Sequence, residues 1–158
     1  MDKVSNNSSI GNLLAILYRY GNIYLDKRLS PLGIGPAQAK ILLMLYKNES
    51  LTQVELSQIL RLDKANVTRS IKKLEKINYI MRIRDKRDSR LYHIMLTDEG
   101  KKIKPQICSI FLEWTDILLK DFSNEEKGLL FNFLKKMINQ AEGYLKKDYS
   151  LKINNDLY

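Results

Sequence analysis

Two helix starts lie eleven residues apart near the middle of the chain, and this spacing leaves few folds open. Thr52 and Glu55 form a capping box, a pattern in which each side chain accepts a hydrogen bond from the other residue's backbone amide. Asp63 is a second favourable N-cap. The first helix must therefore end near Leu60, and the chain must turn at once into a second helix of about 64–77. Two short helices joined by a tight turn are typical of a helix-turn-helix unit.

The second of these helices is apolar on one side and basic on the other. Its apolar residues are Val67, Ile71, Leu74 and Ile77, and its basic residues are Arg69, Lys72, Lys73 and Lys76. Residues 61–90 contain eleven basic and four acidic side chains, which accounts for most of the chain's net charge of +9. One side can therefore pack while the other presents cations to a polyanion. In a helix-turn-helix the second helix lies in the DNA major groove, so double-stranded DNA is the predicted partner.

A charged hairpin follows the basic helix. Residues 79–84 and 91–96 alternate in polarity and are rich in β-branched or aromatic side chains, which predicts two strands. Five of the six residues of the connecting segment 85–90 are charged. We expect this loop to supply a second DNA contact, either to phosphates or to the narrower groove. His93 lies in the second strand and is interpreted as a packed or solvent-facing strand residue.

Helical periodicity accounts for most of the remaining chain. The predicted helices are 10–29, a short buried helix from Pro36, a helix of roughly 98–120 capped by Thr97, and a helix from the Ser123 capping box to about Lys147. Pro105 falls inside the third of these, and we expect it to kink the helix or disturb its early turns. The predicted fold class is mainly α-helical with a small antiparallel β-wing.

Composition excludes several classes of protein. The chain has one His and one Cys, so neither a His/Cys metal cluster nor an internal disulfide can form, and we expect no metal and no cofactor. Its longest apolar runs are six residues, far below the roughly 20 of a membrane span, and its N-terminus lacks a signal peptide pattern. We expect no membrane partner and a cytoplasmic location. Cys108 lies among apolar residues and is predicted to be buried and inert.

The motifs of the central segment resemble those of the MarR family of winged-helix bacterial transcription regulators. The matching segments are Leu60 to Ile71, Leu74-Glu75, Asp88-x-Arg90 and Leu96-Thr97-x-x-Gly100. The resemblance extends over about residues 10–147. Asn78 stands where the family usually has glycine, but asparagine also tolerates the left-handed conformation.

The resemblance implies a homodimer in which the first helix and the last two helices of each subunit interleave. Residues 1–158 then form a single unit. Within it, 36–97 is the winged helix-turn-helix lobe that binds DNA, and 10–30 with 98–147 is the helical dimerisation region. Apolar stripes on the outer helices, such as Leu13, Phe111 and Phe133, are suited to such an interface.

The resemblance also implies which residues contact DNA. The recognition helix residues are Lys64, Ala65, Asn66, Thr68 and Arg69, to which the basic surface adds Lys72 and Lys73. Arg69 matches guanine and Asn66 matches adenine in donor and acceptor geometry, whereas Thr68 is left open between a base and a phosphate contact. Gln53 is expected to contact the DNA backbone. In the wing, Arg90 is expected to enter the minor groove and Asp88 to orient it, with Arg84, Lys86 and Arg87 nearby.

The family often senses small aromatic compounds in a cleft between the dimerisation region and the DNA-binding lobe. Tyr18, Tyr20, Tyr24, Arg28 and Trp114 are candidates to line such a cleft, although the same residues are equally suited to a dimer core. The resulting hypothesis is a dimeric, sequence-specific repressor that binds a pseudo-palindromic operator and is released by a small-molecule effector. We do not expect an enzyme.

Three alternatives remain. An architectural protein would bind random duplex DNA as tightly as any chosen sequence. A small enzyme would have to use carboxylates such as Glu113 and Asp116, but no paired acids in a polar pocket are evident. A protein bound to a membrane surface would need exposed Trp, Phe or Leu beside its basic face, and the basic helix lacks them.

Overall fold

The structure is a computed structural model that describes residues 9–86, 88 and 91–149, with side chains up to Leu145. Arg87 and Arg90, two of the predicted wing residues, lie outside the described residues. The helices are α1 (Ile10–Leu29), α2 (Pro36–Leu45), α3 (Gln53–Leu60), α4 (Lys64–Lys76), α5 (Asp98–Lys102), α6 (Lys104–Leu118) and α7 (Asn124–Tyr149). The strands are β1 (Leu51–Thr52), β2 (Ile80–Arg84) and β3 (Tyr92–Leu96). The mainly helical fold with one small antiparallel sheet confirms the predicted fold class.

The predicted caps form the helix-turn-helix. The backbone amide of Thr52 donates to Glu55 Oε2 at 2.7 Å, and the Glu55 amide donates to Thr52 Oγ1 at 3.2 Å. Arg61 ends α3 in the left-handed conformation with φ 50°. Asp63 Oδ1 then accepts from the Asn66 amide at 2.8 Å and starts α4. Each bond satisfies a donor that a helix end leaves unpaired, which explains why these boundaries were predictable.

The end of α4 is fixed by a left-handed residue. Asn78 has φ 60°, the conformation expected for it, and the chain passes directly into β2. The Tyr79 amide donates to the Leu74 carbonyl oxygen at 2.9 Å and so closes the last turn of the helix. The Thr97 hydroxyl donates to the Asn78 carbonyl oxygen at 2.6 Å. This turn is therefore hydrogen-bonded to Thr97, the residue between β3 and α5.

The sheet has the strand order β1-β3-β2, and both strand pairs are antiparallel. Arg84 pairs with Tyr92 and Ile80 pairs with Leu96, as expected for a hairpin with its turn in the charged segment. Strand β1 was not predicted. It is only two residues long, and it pairs with residues about forty positions away, Leu51 with Ile94 and Thr52 with His93.

The prediction of one helix over 98–120 was wrong, because the chain breaks at Ile103 into α5 and α6. Pro105 lies in the first turn of α6, where a missing amide proton costs nothing, and it cannot continue the helix that precedes it. The expected disturbance of the early turns is thus confirmed. Gly100 of α5 lies against the turn after α4, where an added Cβ would meet the Tyr79 carbonyl oxygen at 2.0 Å.

The core joins the winged lobe to the C-terminal part of α1 and the N-terminal part of α6. Its fully buried members include Leu29, Ile41, Leu42, Leu56, Leu74 and Ile107. Other large apolar side chains on α1, α6 and α7 remain outside it: Leu13 is 52% exposed, Leu112 65% and Phe133 56%. None of the helices in the described part of the chain is long and apolar enough to cross a membrane.

Candidate nucleic-acid interface

Helix α4 presents its basic side to solvent, as its pattern predicted. Val67, Ser70, Ile71 and Leu74 are buried against α2 and α3. The predicted recognition residues that are exposed on this helix are Lys64, Ala65, Arg69, Lys72 and Lys73, whereas Asn66 and Thr68 are half-buried. The structure therefore brings four cations and two polar side chains to one exposed helix and its margin.

Two amide–hydroxyl bonds tie α4 to the helices before it. Gln53 Nε2 on α3 donates to Thr68 Oγ1 at 2.5 Å, and Gln38 Nε2 on α2 donates to Ser70 Oγ at 3.0 Å. Gln38 Oε1 in turn accepts from the Gly35 amide at 2.8 Å, which anchors it at the start of α2. Gln38 was not identified from the sequence. Its position three residues after Gly35 is a capping signal, but the bond to Ser70 spans 32 residues.

A groove separates the start of α4 from the β-hairpin. It is a recess of about 240 Å³ lined by Thr52, Gln53, Val54, Lys64, Arg82, Leu91, Tyr92 and Ile94. Arg82 stands on its hairpin side, paired with Glu75 through Nη2 and Oε2 at 2.8 Å. The Arg82 guanidinium also lies 5.8 Å from the centre of the Tyr92 ring. One cation of the recognition helix, Lys64, and one of the hairpin, Arg82, thus line the same groove.

Asp85 organises the wing where the hairpin turns. Its Oδ1 accepts from the Asp88 amide at 2.9 Å, and its Oδ2 lies 2.8 Å from His93 Nε2. The Leu91 amide donates to the Asp88 carbonyl oxygen at 2.9 Å. His93 is half-buried, and its ring is hydrogen-bonded to the Asp85 carboxylate. Strand alternation alone did not indicate this role. Arg84 and Lys86 are exposed beside this turn.

Three of the candidate cleft residues come together between α1 and α6. The rings of Tyr24 and Trp114 stack with centroids 5.0 Å apart, and Arg28 Nη2 lies 2.6 Å from Glu113 Oε2. The Tyr24 hydroxyl and the Arg28 guanidinium lower the pKa of Glu113, because both stabilise the charged carboxylate. Burial, and then the nearby Glu113 carboxylate, raise the pKa of Tyr24.

The other two candidates lie apart from this cluster on the same helix. Tyr18 is 65% exposed, with the Lys40 ammonium 5.3 Å from its ring centre, and Tyr20 is 59% exposed.

Cys108 is half-buried rather than buried, because it lies at the edge of the core between buried Ile107 and exposed Ser109. Among the described residues, no three His, Cys, Asp or Glu side chains are grouped so that they could hold a metal ion.

A larger cavity of about 630 Å³ lies between the winged lobe and α7. Its lining includes Lys40, Met44, Leu60, Arg61, Phe111 and Glu142, none of which belongs to the predicted cleft. At its edge Arg61 Nη2 lies 3.3 Å from Glu142 Oε1, and the Glu142 side chain is only 13% exposed. The turn of the helix-turn-helix is thus linked to the last helix.

Comparison with known proteins identifies the fold just described. A sequence model of the MarR family matches residues 34–92, which span α2 to the start of β3. The HTH-type transcriptional regulator BilQ of Clostridioides difficile is 30% identical over 118 residues, covering 75% of this chain and 80% of BilQ. The chain belongs to the MarR family.

Solved structures of MarR proteins have the same fold over most of this family member. A MarR transcriptional regulator from Methanosarcina mazei Go1 superposes with a TM-score of 0.81 at 37% identity, covering 85% of this chain and 97% of that one. A mutant MarR from E. coli complexed with operator DNA gives a TM-score of 0.74 at 27% identity, covering 87% of this chain and 99% of that one. The likeness extends beyond the winged lobe to the helices on either side of it.

Proposed function

We propose that this MarR-family protein is a sequence-specific regulator of transcription that binds double-stranded DNA. The observation that carries the proposal is the exposed basic side of α4 together with the basic hairpin, with Lys64 of the helix and Arg82 of the hairpin lining one groove. A recognition helix in the major groove and a wing in the adjacent minor groove need this arrangement. The E. coli relative complexed with operator DNA supports the same assignment.

Individual roles follow from side-chain chemistry. Arg69 has the bidentate donors that match guanine, and Asn66 has the donor and acceptor that match adenine. Lys64, Lys72 and Lys73 are exposed cations suited to phosphates, and Ala65 leaves room for close approach of a base edge. Gln53 is assigned to a backbone phosphate.

The wing is assigned to the minor groove. Arg90 is the proposed inserted residue and Asp88 its orienting partner, with Arg84, Lys86 and Arg87 on flanking phosphates. The bonds from Asp85 to the Asp88 amide and to His93 support this assignment, because they fix Asp88 relative to the two strands.

Action as a homodimer is proposed from the exposed apolar side chains of α1, α6 and α7. Leu13, Leu112 and Phe133 would each be buried if a second copy covered these helices, and burial of such surface favours association. Two symmetric recognition helices then require a pseudo-palindromic site with half-sites about one helical turn apart.

Repression and its release complete the proposal. A repressor that covers its operator would be released by a small aromatic effector near Tyr18, Tyr24, Arg28 and Trp114. The stacked rings and the Arg28–Glu113 pair supply aromatic and charged contacts for such a ligand. The same residues could instead serve the dimer core. The proposed place of action is the cytoplasm.

Selection from a library of random duplexes, followed by titration of the enriched sequence, tests this function. We expect an inverted repeat to be enriched and bound at least about a thousandfold more tightly than random duplex. Equal affinity for both duplexes would instead favour an architectural protein. Lys102→Ala is the matched control, because it removes one exposed cation from α5, at the end of the sheet opposite the hairpin turn.

A further inference from the structure

The hydroxyl group of Thr68 already donates its only proton to a hydrogen bond within the protein. Thr68 Oγ1 donates to the Lys64 carbonyl oxygen, one turn earlier in α4, at 2.7 Å. The same oxygen accepts from Gln53 Nε2 on α3 at 2.5 Å. A threonine hydroxyl has one donor and two acceptor positions. Thr68 therefore retains one lone pair and no proton for a partner outside the protein.

This bonding chain also determines how the Gln53 amide is oriented. Because the Thr68 proton is directed at Lys64, Gln53 must offer its NH2 group, since its carbonyl oxygen would face another acceptor. Rotation of the Thr68 side chain about χ1 would break both bonds, so Gln53 and the Lys64 carbonyl oxygen together hold the side chain in one rotamer. Gln53 is thus a positioning residue for Thr68. Its second amide hydrogen remains available for a phosphate.

The committed proton limits which DNA groups Thr68 can recognise. Phosphate oxygens are acceptors only, and a hydroxyl without a free proton cannot donate to them. The γ-methyl group remains, on a side chain that is half-buried in the same helix as exposed Ala65 and Arg69. In the major groove the apolar group available to a threonine methyl is the 5-methyl group of thymine.

We propose that Thr68 is a specificity-determining residue that recognises a thymine through its methyl group, while Gln53 holds that methyl in place. The inference rests on the proposed function, because it requires α4 to lie in the major groove. It decides between the two roles that the sequence left open for Thr68, a base contact and a phosphate contact.

The test replaces thymine by deoxyuridine, which removes only the 5-methyl group. The probe is the duplex enriched from the random library, with each thymine replaced in turn and affinity measured by fluorescence anisotropy. For the unmodified protein we expect one thymine per half-site whose replacement weakens binding about fourfold, the effect of one buried methyl group. Thr68→Ser keeps the hydroxyl but lacks the methyl, and it should lose this difference. Thr68→Val keeps a methyl and should retain it.

Gln53→Ala tests the positioning role. It leaves the Thr68 methyl present but held by only one of its two bonds, the one to the Lys64 carbonyl oxygen, so the thymine-to-uracil difference should shrink part of the way towards that of Thr68→Ser. Thermal melting of each variant establishes that it is folded before binding is compared.

Three results would overturn this inference but leave the proposed function standing. They are an enriched duplex with no methyl-sensitive thymine, a full thymine-to-uracil difference retained by Thr68→Ser, and equal weakening of all duplexes by Thr68→Val. The last is the result expected if the hydroxyl contacts a phosphate. A selection that enriches no sequence would overturn the proposed function, and this inference with it.

Discussion

Gln38 on α2 donates a hydrogen bond to the hydroxyl of Ser70 on the buried side of α4, at 3.0 Å. Ser70 is 1% exposed, so its hydroxyl has no access to solvent that could replace the amide. The recognition helix is therefore held by polar bonds on two sides, from Gln38 at one margin and from Gln53 at the other.

Removing the amide at position 38 should destabilise the fold. Gln38→Ala leaves a buried hydroxyl without this partner, and the expected cost is about 1–3 kcal/mol in the free energy of unfolding. Urea denaturation measures it. Ser70→Ala in the Gln38→Ala background should restore much of the loss, because both polar partners are then absent. A double variant as unstable as the sum of the two single variants would contradict this coupling.

Arg69 should determine the preference at one base position. Arg69→Ala removes a bidentate donor pair, and it should weaken binding to the enriched duplex by about 1–3 kcal/mol and relax preference at a single base pair. Affinity for all four bases at each position gives the measurement, with Lys102→Ala as the control for lost charge. Equal losses for enriched and random duplexes would mean that Arg69 contacts a phosphate.

The two proposed wing residues should respond differently to salt. Arg90→Ala removes a cation, so binding should weaken and the slope of log affinity against log salt should fall by about one unit. Asp88→Ala raises the net positive charge, yet we expect weaker binding because the arginine loses its orienting partner and must be ordered on the DNA. Tighter binding by the Asp88 variant would leave the wing as a simple cationic surface.

Asp85 should matter as much to the wing as Asp88 does. Asp85→Ala removes the acceptor of the Asp88 amide and the partner of His93, and it should weaken binding about fivefold by leaving the turn to be ordered on DNA, a cost of about 1 kcal/mol. Asp85→Asn retains an oxygen for the Asp88 amide and should lose less. Titration of both variants against the enriched duplex distinguishes them, and equal losses would show that the bond to the Asp88 amide does not account for the effect.

Glu113 should contribute to stability at neutral pH and lose that contribution in acid. Its pKa is lowered from 4.5 by the Tyr24 hydroxyl and Arg28, so the folded state favours the charged form. The stabilisation is present above pH 4.5 and is lost as pH falls through the lowered pKa. Melting temperatures are measured between pH 3 and 6, a range of about three units that includes the reference pKa. As pH falls, the melting temperature of Glu113→Gln should decrease less steeply than that of the unmodified protein. Glu126→Gln is the comparison, because Ser123 lowers the pKa of that carboxyl in the same direction.

Local signals predicted the helix-turn-helix almost residue by residue, because Thr52, Asp63 and Asn78 form their bonds within a few positions. Features that depend on distant partners were not predictable in this way. Strand β1 exists only because it pairs with β3, and the Gln38–Ser70 bond joins separate helices. The break at Ile103 was expected only as a disturbance, since a proline in a sequence does not tell whether a helix bends or restarts.

The same difference between local signals and distant partners decides how much of the candidate site was predictable. Periodicity alone identified the exposed basic side chains of α4, because a helical face is a property of spacing. It could not identify Asp85 and His93 as partners, since their contact depends on the turn that brings β2 and β3 together. Nor could it separate Tyr24 and Trp114, which stack, from Tyr18, which faces Lys40.

The close contact at Gly100 makes the junction between the winged lobe and α5 a rigid joint. A Cβ there would collide with the Tyr79 carbonyl oxygen, and the Gly100 carbonyl oxygen accepts from the Tyr46 hydroxyl at 2.8 Å. Because neither side of this contact has room to slide, α5 must turn with the lobe as one body. A change in the angle between α5 and α6 is therefore concentrated at Ile103, the single residue between them, where no side chain caps the start of α6. The direction in which α6 leaves the lobe is therefore set by the backbone torsion angles of that one residue together with the burial of Ile107 in the core.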